Sequence, residues 1–160
     1  MTAQTIFKSC ALVTAASIFA LLTGCNAESV DSGPPINVAS VFYGHLRAGD
    51  VTTALTLFSP EFQSSVSHWP KALNSVQSKF GSIVTAELQN ATLASNGHTP
   101  CYLLVYKVKR ESLESHERLF VCRTDEKSKW TIDGQELSRD DTGSDLVGGK
   151  IPKMIGVSTQ

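Results

Sequence analysis

General acid–base chemistry asks for a histidine, tyrosine or carboxylate whose proton affinity its surroundings have tuned to the working pH. This chain offers a short set: Tyr43, His45, Asp50, His68, Tyr102 and Tyr106. His45 lies directly before Leu46 at the edge of an apolar helical stripe, where bonding to water or backbone competes with any role toward a substrate. Asp50 directly precedes a helix-forming run and reads first as an N-cap. The inner strands are expected to present Tyr, Leu, Val and Phe but no carboxylate in their central portions, which weighs against an enzyme. The chain has no Gly-x-Ser-x-Gly elbow and no paired-histidine zinc helix. Gly148-Gly149-Lys150 lacks the flanking glycine and hydroxyl of a phosphate loop. Asn90-Ala91-Thr92 matches the glycosylation triplet without further support. No catalytic residue, metal or cofactor is predicted.

The elements that must position these side chains follow from periodicity. Val38, Val41, Phe42 and Leu46 place an apolar stripe on a helix over 36–48. Gly49 is a natural stop and Asp50 a natural start for a second helix over 51–59, with Ala54, Leu55 and Phe58 inward and Pro60 as terminator. After a polar stretch, Pro70 suits the first turn of a third helix, which Trp69 staples and which carries Leu73, Val76 and Phe80 up to Gly81. The period then drops to two. Val84, Ala86 and Leu88 alternate within a strand over 82–94, and Asn96-Gly97 signals a turn. Runs over 101–109, 114–124 and 130–137 supply three more strands. The fold class is α+β: three N-terminal helices packed on a curved four-stranded antiparallel sheet.

If the middle hairpin turns at Glu111-Ser112, positions summing to 223 oppose one another. Tyr102 then faces Val121, Leu103 faces Phe120, Leu104 faces Leu119, and Cys101 faces Cys122. Opposed Cβ atoms lie about 4.5–5.5 Å apart, close to what a disulfide requires. A longer turn would shift the register and separate the thiols, leaving free buried cysteines as the other reading. Zinc is disfavoured, since His98, three positions before Cys101, is the one His or Cys within two to four positions of either thiol, short of a four-coordinate set. Tyr43, His45, Tyr102, Leu104, Tyr106 and Phe120 are candidates to line a pocket; simple core filling is the plainer reading of the strand residues.

The first nine residues carry Lys8 and no acid, the 13-residue run 10–22 is apolar but for Thr14 and Ser17, and it leads into Leu22-Thr23-Gly24-Cys25. A bilayer-spanning helix needs roughly 20 apolar residues, so 1–24 reads as a cleaved secretion signal. The tetrapeptide resembles the lipobox of bacterial lipoproteins. That resemblance implies that the Cys25 thiol takes a diacylglyceryl group and that the mature chain is held on the lipid bilayer. By the same resemblance Asn26, in place of the Asp that retains such proteins at the inner membrane, implies an outer-membrane address facing the periplasm. Loss of Lys8 takes the formal charge from −1 to −2, with 13 Lys+Arg against 15 Asp+Glu. No basic field for nucleic acid remains. Residues 25–35 read as a lipidated Cys and flexible linker, 36–137 as the domain, and 138–160 as a polar tail whose Ile151, Met154 and Ile155 could dock.

The Gly49-Asp50 corner, the Trp69-led helix ending in Phe80-Gly81 and a meander finishing on Trp130-Thr131-Ile132 resemble the nuclear transport factor 2-like superfamily, especially its small secreted members. The resemblance implies a cone with a pocket between sheet and helices, and in many relatives a homodimer through the sheet. It hosts isomerases, dehydratases, immunity proteins and binding modules, so it does not name an activity. The leading expectation is a non-enzymatic envelope lipoprotein that binds a partner protein or a small apolar ligand. The alternatives are a periplasmic isomerase or hydro-lyase using His45 with Tyr43 or Tyr102, and an immunity or inhibitor lipoprotein.

Overall fold

Proline at the first turn of a helix loses no hydrogen bond and presets φ, and the first helix, α1 (Gly33–Arg47), starts on Pro34 and Pro35. In this computed structural model, residues 32–94, 99–125 and 127–139 are described. The segments expected to form a secretion signal and an Asn96-Gly97 turn, together with Cys25 and the tail residues named above, lie outside them. Residues 33–35, expected in the linker, belong to α1 instead. The buried face of α1 is Pro35, Ala39, Phe42, Tyr43 and Leu46. Val41, expected on that face, is 49% exposed.

Gly49 takes φ +78°, open to glycine at no steric cost, and turns the chain into α2 (Val51–Leu55). The Asp50 side chain accepts from the Thr53 backbone N–H at 3.0 Å, so its capping role is as expected. The long second helix is not: Pro60 opens a new helix rather than closing the old one. α3 (Pro60–Ser65) has Ser59 as its cap, whose Oγ accepts from the Phe62 N–H at 3.2 Å. Four helices, not three, therefore precede the sheet among the described residues, the last being α4 (Trp69–Phe80). Phe42, Phe58, Phe62 and Trp69 form a relay of ring contacts with centroids 5.5, 4.7 and 5.9 Å apart, tying α1, α3 and α4 into one core. None of these helices is long and apolar enough to cross a membrane.

Gly81, with φ +83° and a Glu111 side chain packed where a Cβ would stand, leads into the strands. These are β1 (Ile83–Leu93), β2 (Cys101–Arg110), β3 (Glu114–Cys122) and β4 (Thr131–Ser138). They form an open antiparallel sheet in the order β1-β2-β3-β4. The β2–β3 register runs from Cys101 opposite Cys122 to Lys109 opposite Glu114, as the sum of 223 requires. Cys101 and Cys122 are joined by a disulfide, S–S 2.13 Å. Alternation along β2 and β3 buries Leu104, Tyr106, Val108, Glu117, Leu119 and Val121 against the helices. The free edge of β4 is partly covered, because Ile132 exchanges backbone hydrogen bonds with Leu57 and Ser59. β1 is the opposite edge, with register breaks at Ile83/Thr85 and Leu88/Asn90.

Candidate functional site

A stripe of α1 facing the β1 edge, at positions 36, 40, 43, 44 and 47, stands opposite the inner-face residues Ala86 and Leu88 of β1 and Tyr106 of β2. Between them lies a cleft of about 370 Å³, lined by Ile36, Ser40, Tyr43, Gly44, Arg47, Ala86, Leu88 and Tyr106. This falls within the size range of small-molecule sites. Leu88 is 37% exposed, although its place on the pleat points it inward, because the helix does not cover the sheet there. Gly44 sits in the last turn of α1, and a Cβ built on it would meet nothing within 4 Å.

The floor of the cleft is aromatic and behind it is charge. Tyr43 and Tyr106 rings pack with centroids 4.7 Å apart. The Tyr43 hydroxyl donates to Glu117 Oε2 at 3.1 Å, and Gln135 Nε2 donates to the same oxygen at 3.3 Å. On the other oxygen, Arg110 Nη1 is 2.7 Å from Glu117 Oε1. Arg110 also donates to Ser115 Oγ at 2.9 Å, whose own proton serves either Glu117 Oε1 at 3.3 Å or the Val108 carbonyl at 3.4 Å. Gln135 in turn accepts from Trp69 Nε1 at 3.0 Å. Glu117, Ser115 and Gln135 are fully buried and Arg110 is 3% exposed.

An ionised carboxylate has about four acceptor positions. Donors from α1, β2, β3 and β4 meet those of Glu117, so it joins elements rather than facing a reactant. The expectation that the inner strands lack a carboxylate is overturned by this residue. The register carried the signal: with Tyr106 inward, the sum of 223 places Glu117 opposite it on the same face. The same arithmetic corrects Phe120. It lies opposite Leu103 and beside Gly134, between the core residues Leu119 and Val121, so it occupies the outer face and not the pocket.

The other candidates scatter. His45 lies at the α1–α2 corner, Nδ1 3.9 Å from Asp50 Oδ2, away from the cleft. Asp50 is held below the usual carboxylate range by its bonds to Thr53. His68 is exposed at the start of α4, its ring 6.3 Å from Trp69. Tyr102 packs against Trp130, centroids 6.0 Å apart, and Leu104 is part of the core. Of the six proposed pocket residues, Tyr43 and Tyr106 line the cleft.

Burial first, then the charge and hydrogen bond of Glu117, holds the Tyr43 phenol well above its ordinary value of 10.0, with Arg110 opposing. Burial alone raises Tyr106. Both phenols keep their protons in the fold at pH values where the unfolded chain releases them. Their contribution is therefore complete below about pH 10 and is lost as pH rises through the folded values. The melting temperature is expected to fall steeply above about pH 10. Tyr106→Phe should make that alkaline limb shallower, as melts across the range would report; an unchanged slope would remove Tyr106 from the account. Set beside protein-family models, curated proteins and solved structures, the chain finds a match in none of them, and its site is to be read from its own geometry.

Proposed function

We propose that this protein is a lipid-anchored lipoprotein of the bacterial envelope. Its domain is a non-enzymatic binding module that holds a small apolar ligand in the cleft between α1 and the β1–β2 edge. Helices followed by an antiparallel meander support reading the domain as a nuclear transport factor 2-like cone, with this cleft at its mouth. The lipobox-like Leu22-Thr23-Gly24-Cys25 supports the anchor, and Asn26 supports the outer membrane. Feeding cells radiolabelled palmitate tests the anchor; an unlabelled, freely soluble product overturns it.

One observation carries the binding reading: Gly44. In the last turn of α1, glycine still costs up to about 1 kcal/mol relative to alanine, and nothing around Gly44 is close enough to demand it. The missing side chain leaves the cleft wall open to a ligand. The saturated hydrogen bonding of Glu117 favours holding a ligand over transforming it.

The test uses the full chain in phosphatidylcholine vesicles and a neutral, diazirine-bearing decanol, with labelled peptides located by mass spectrometry. Label should fall on the strands carrying Leu88 and Tyr106. Gly44→Phe should abolish that label while leaving stability unchanged or raised by about 0.5 kcal/mol, since phenylalanine is the better helix former. Labelling that ignores the added ring overturns the cleft as the binding site.

A further inference from the structure

We infer that the cleft selects an anionic single-chain amphiphile, a fatty acid, whose carboxylate sits on Arg47 and whose chain lies against Ile36, Leu88 and Tyr106. The assignment rests on the cleft being a ligand site, as proposed above.

The charge comes from Arg47. Arg110 is paired with Glu117, Arg118 with Glu136 at 3.2 Å, and Arg123 lies over the Trp130 ring at 4.9 Å. Among the described residues, no side chain pairs with Arg47, and no carboxylate lines the cleft it borders. Placement near the helix C-terminus suits a cation, yet the usual partners of such a cation are already occupied. The Gly44, His45 and Leu46 carbonyls accept from the Ala48, Asp50 and Gly49 N–H groups. Arg47 is exposed at the cleft wall, and the planar donors of a guanidinium match a carboxylate.

The apolar part comes from the opposite wall. Leu88 stays exposed there, beside Ala86 and Tyr106. At about 370 Å³ the cleft is near the lower end of ligand pockets and admits one chain, not a two-chain phospholipid. Position favours a bilayer source. Cys25 and Gly33 are eight positions apart, a reach of at most roughly 28 Å at full extension, so an acylated Cys25 keeps the end of α1 that carries Ile36 within that distance of the lipid surface.

The experiment compares diazirine-bearing decanoate with its alcohol counterpart on the full chain in phosphatidylcholine vesicles, at a pH where the acid is ionised. Decanoate should label the Leu88 and Tyr106 strands about three- to tenfold more than decanol, the range for a charge-assisted contact discounted for exposure. Arg47→Gln should erase the preference, Arg47→Lys should keep part of it, and high salt should reduce it. Equal labelling by the two probes, or a preference that survives Arg47→Gln, overturns the anionic ligand. Decanol labelling that remains sensitive to Gly44→Phe would then leave the binding module standing. If vesicles containing phosphatidylglycerol suppress the decanoate label, the anion held is a lipid headgroup, and the fatty acid is overturned.

Discussion

Glu117→Ala is expected to destabilise the domain by about 3–5 kcal/mol, the range for breaking a buried ion pair by removing one partner. The loss is large because it is shared. Arg110, 3% exposed, would keep only Ser115 Oγ within reach, while the Tyr43 hydroxyl and the Gln135 amide would each lose an acceptor. Each buried group left unmatched costs about 1–3 kcal/mol, more when charged. Whole-domain stabilities run at about 5–15 kcal/mol, so the variant should sit at the edge of folding, with its melting temperature lowered by about 15–20 °C. The comparison that isolates the cause is Arg110→Met with Glu117→Leu, which removes both charges together. Replacing a buried pair with apolar groups of similar volume is often close to neutral, so the double variant should recover much of the loss. Alanine at 117 within about 1 kcal/mol of the parent, well short of that range, would mean that the cluster contributes little.

The cluster also explains how the cleft holds its shape. Tyr43 is shared between the two: its ring floors the cleft beside Tyr106 and its hydroxyl is fixed by Glu117. α1 is thereby held at one point on the sheet while the neighbouring turn carrying Gly44 and Arg47 stands off from β1. A ligand entering there meets a wall whose position is already set, which lowers the ordering cost of binding. Tyr43→Phe would separate the two roles, keeping the ring and losing the bond.

The sequence made the sheet far more legible than the site. Strand alternation and one assumed turn specified the β2–β3 register to the residue, and the disulfide with it, because a period of two leaves little freedom once the turn is placed. The same register contained the inward position of Glu117 and the outward position of Phe120. Residue type overrode geometry in both: a glutamate in a strand reads as surface and a phenylalanine as core. What reverses the glutamate is a set of donors as distant as Tyr43, 74 residues away, which only the assembled fold brings to it. Pro60 misled for a local reason, since a proline that cannot continue one helix is well suited to begin the next, and Ser59 was the cap that marked it. Of the cleft, the sequence showed Tyr43 and Tyr106 as candidate lining residues but not the opening beside them. Gly44 reads as a weak point in a helix, and the open space beside it depends on how far β1 stands from α1.

Removing the Cys101–Cys122 bridge should cost about 3 kcal/mol, by a mechanism opposite to that of Glu117. The bridge closes the hairpin at the end away from its turn, across a sequence separation of 21. β2 and β3 are already in register by their ladder, so the native state gains little from it. The gain lies in the unfolded chain, where the link removes extended conformations. Reduction, or Cys101→Ala with Cys122→Ala, should lower the melting temperature by about 12–15 °C. In urea, the reduced chain should show a steeper dependence of stability on denaturant, because its unfolded ensemble exposes more surface. Glu117→Ala should instead move the midpoint with the slope unchanged. A reduced protein that melts with the oxidised one would show the bridge to be an ornament of the hairpin; a loss of stability without a change of slope would place its effect in native contacts rather than in chain entropy. A structural disulfide persists most readily in an oxidising space, the kind of compartment proposed above.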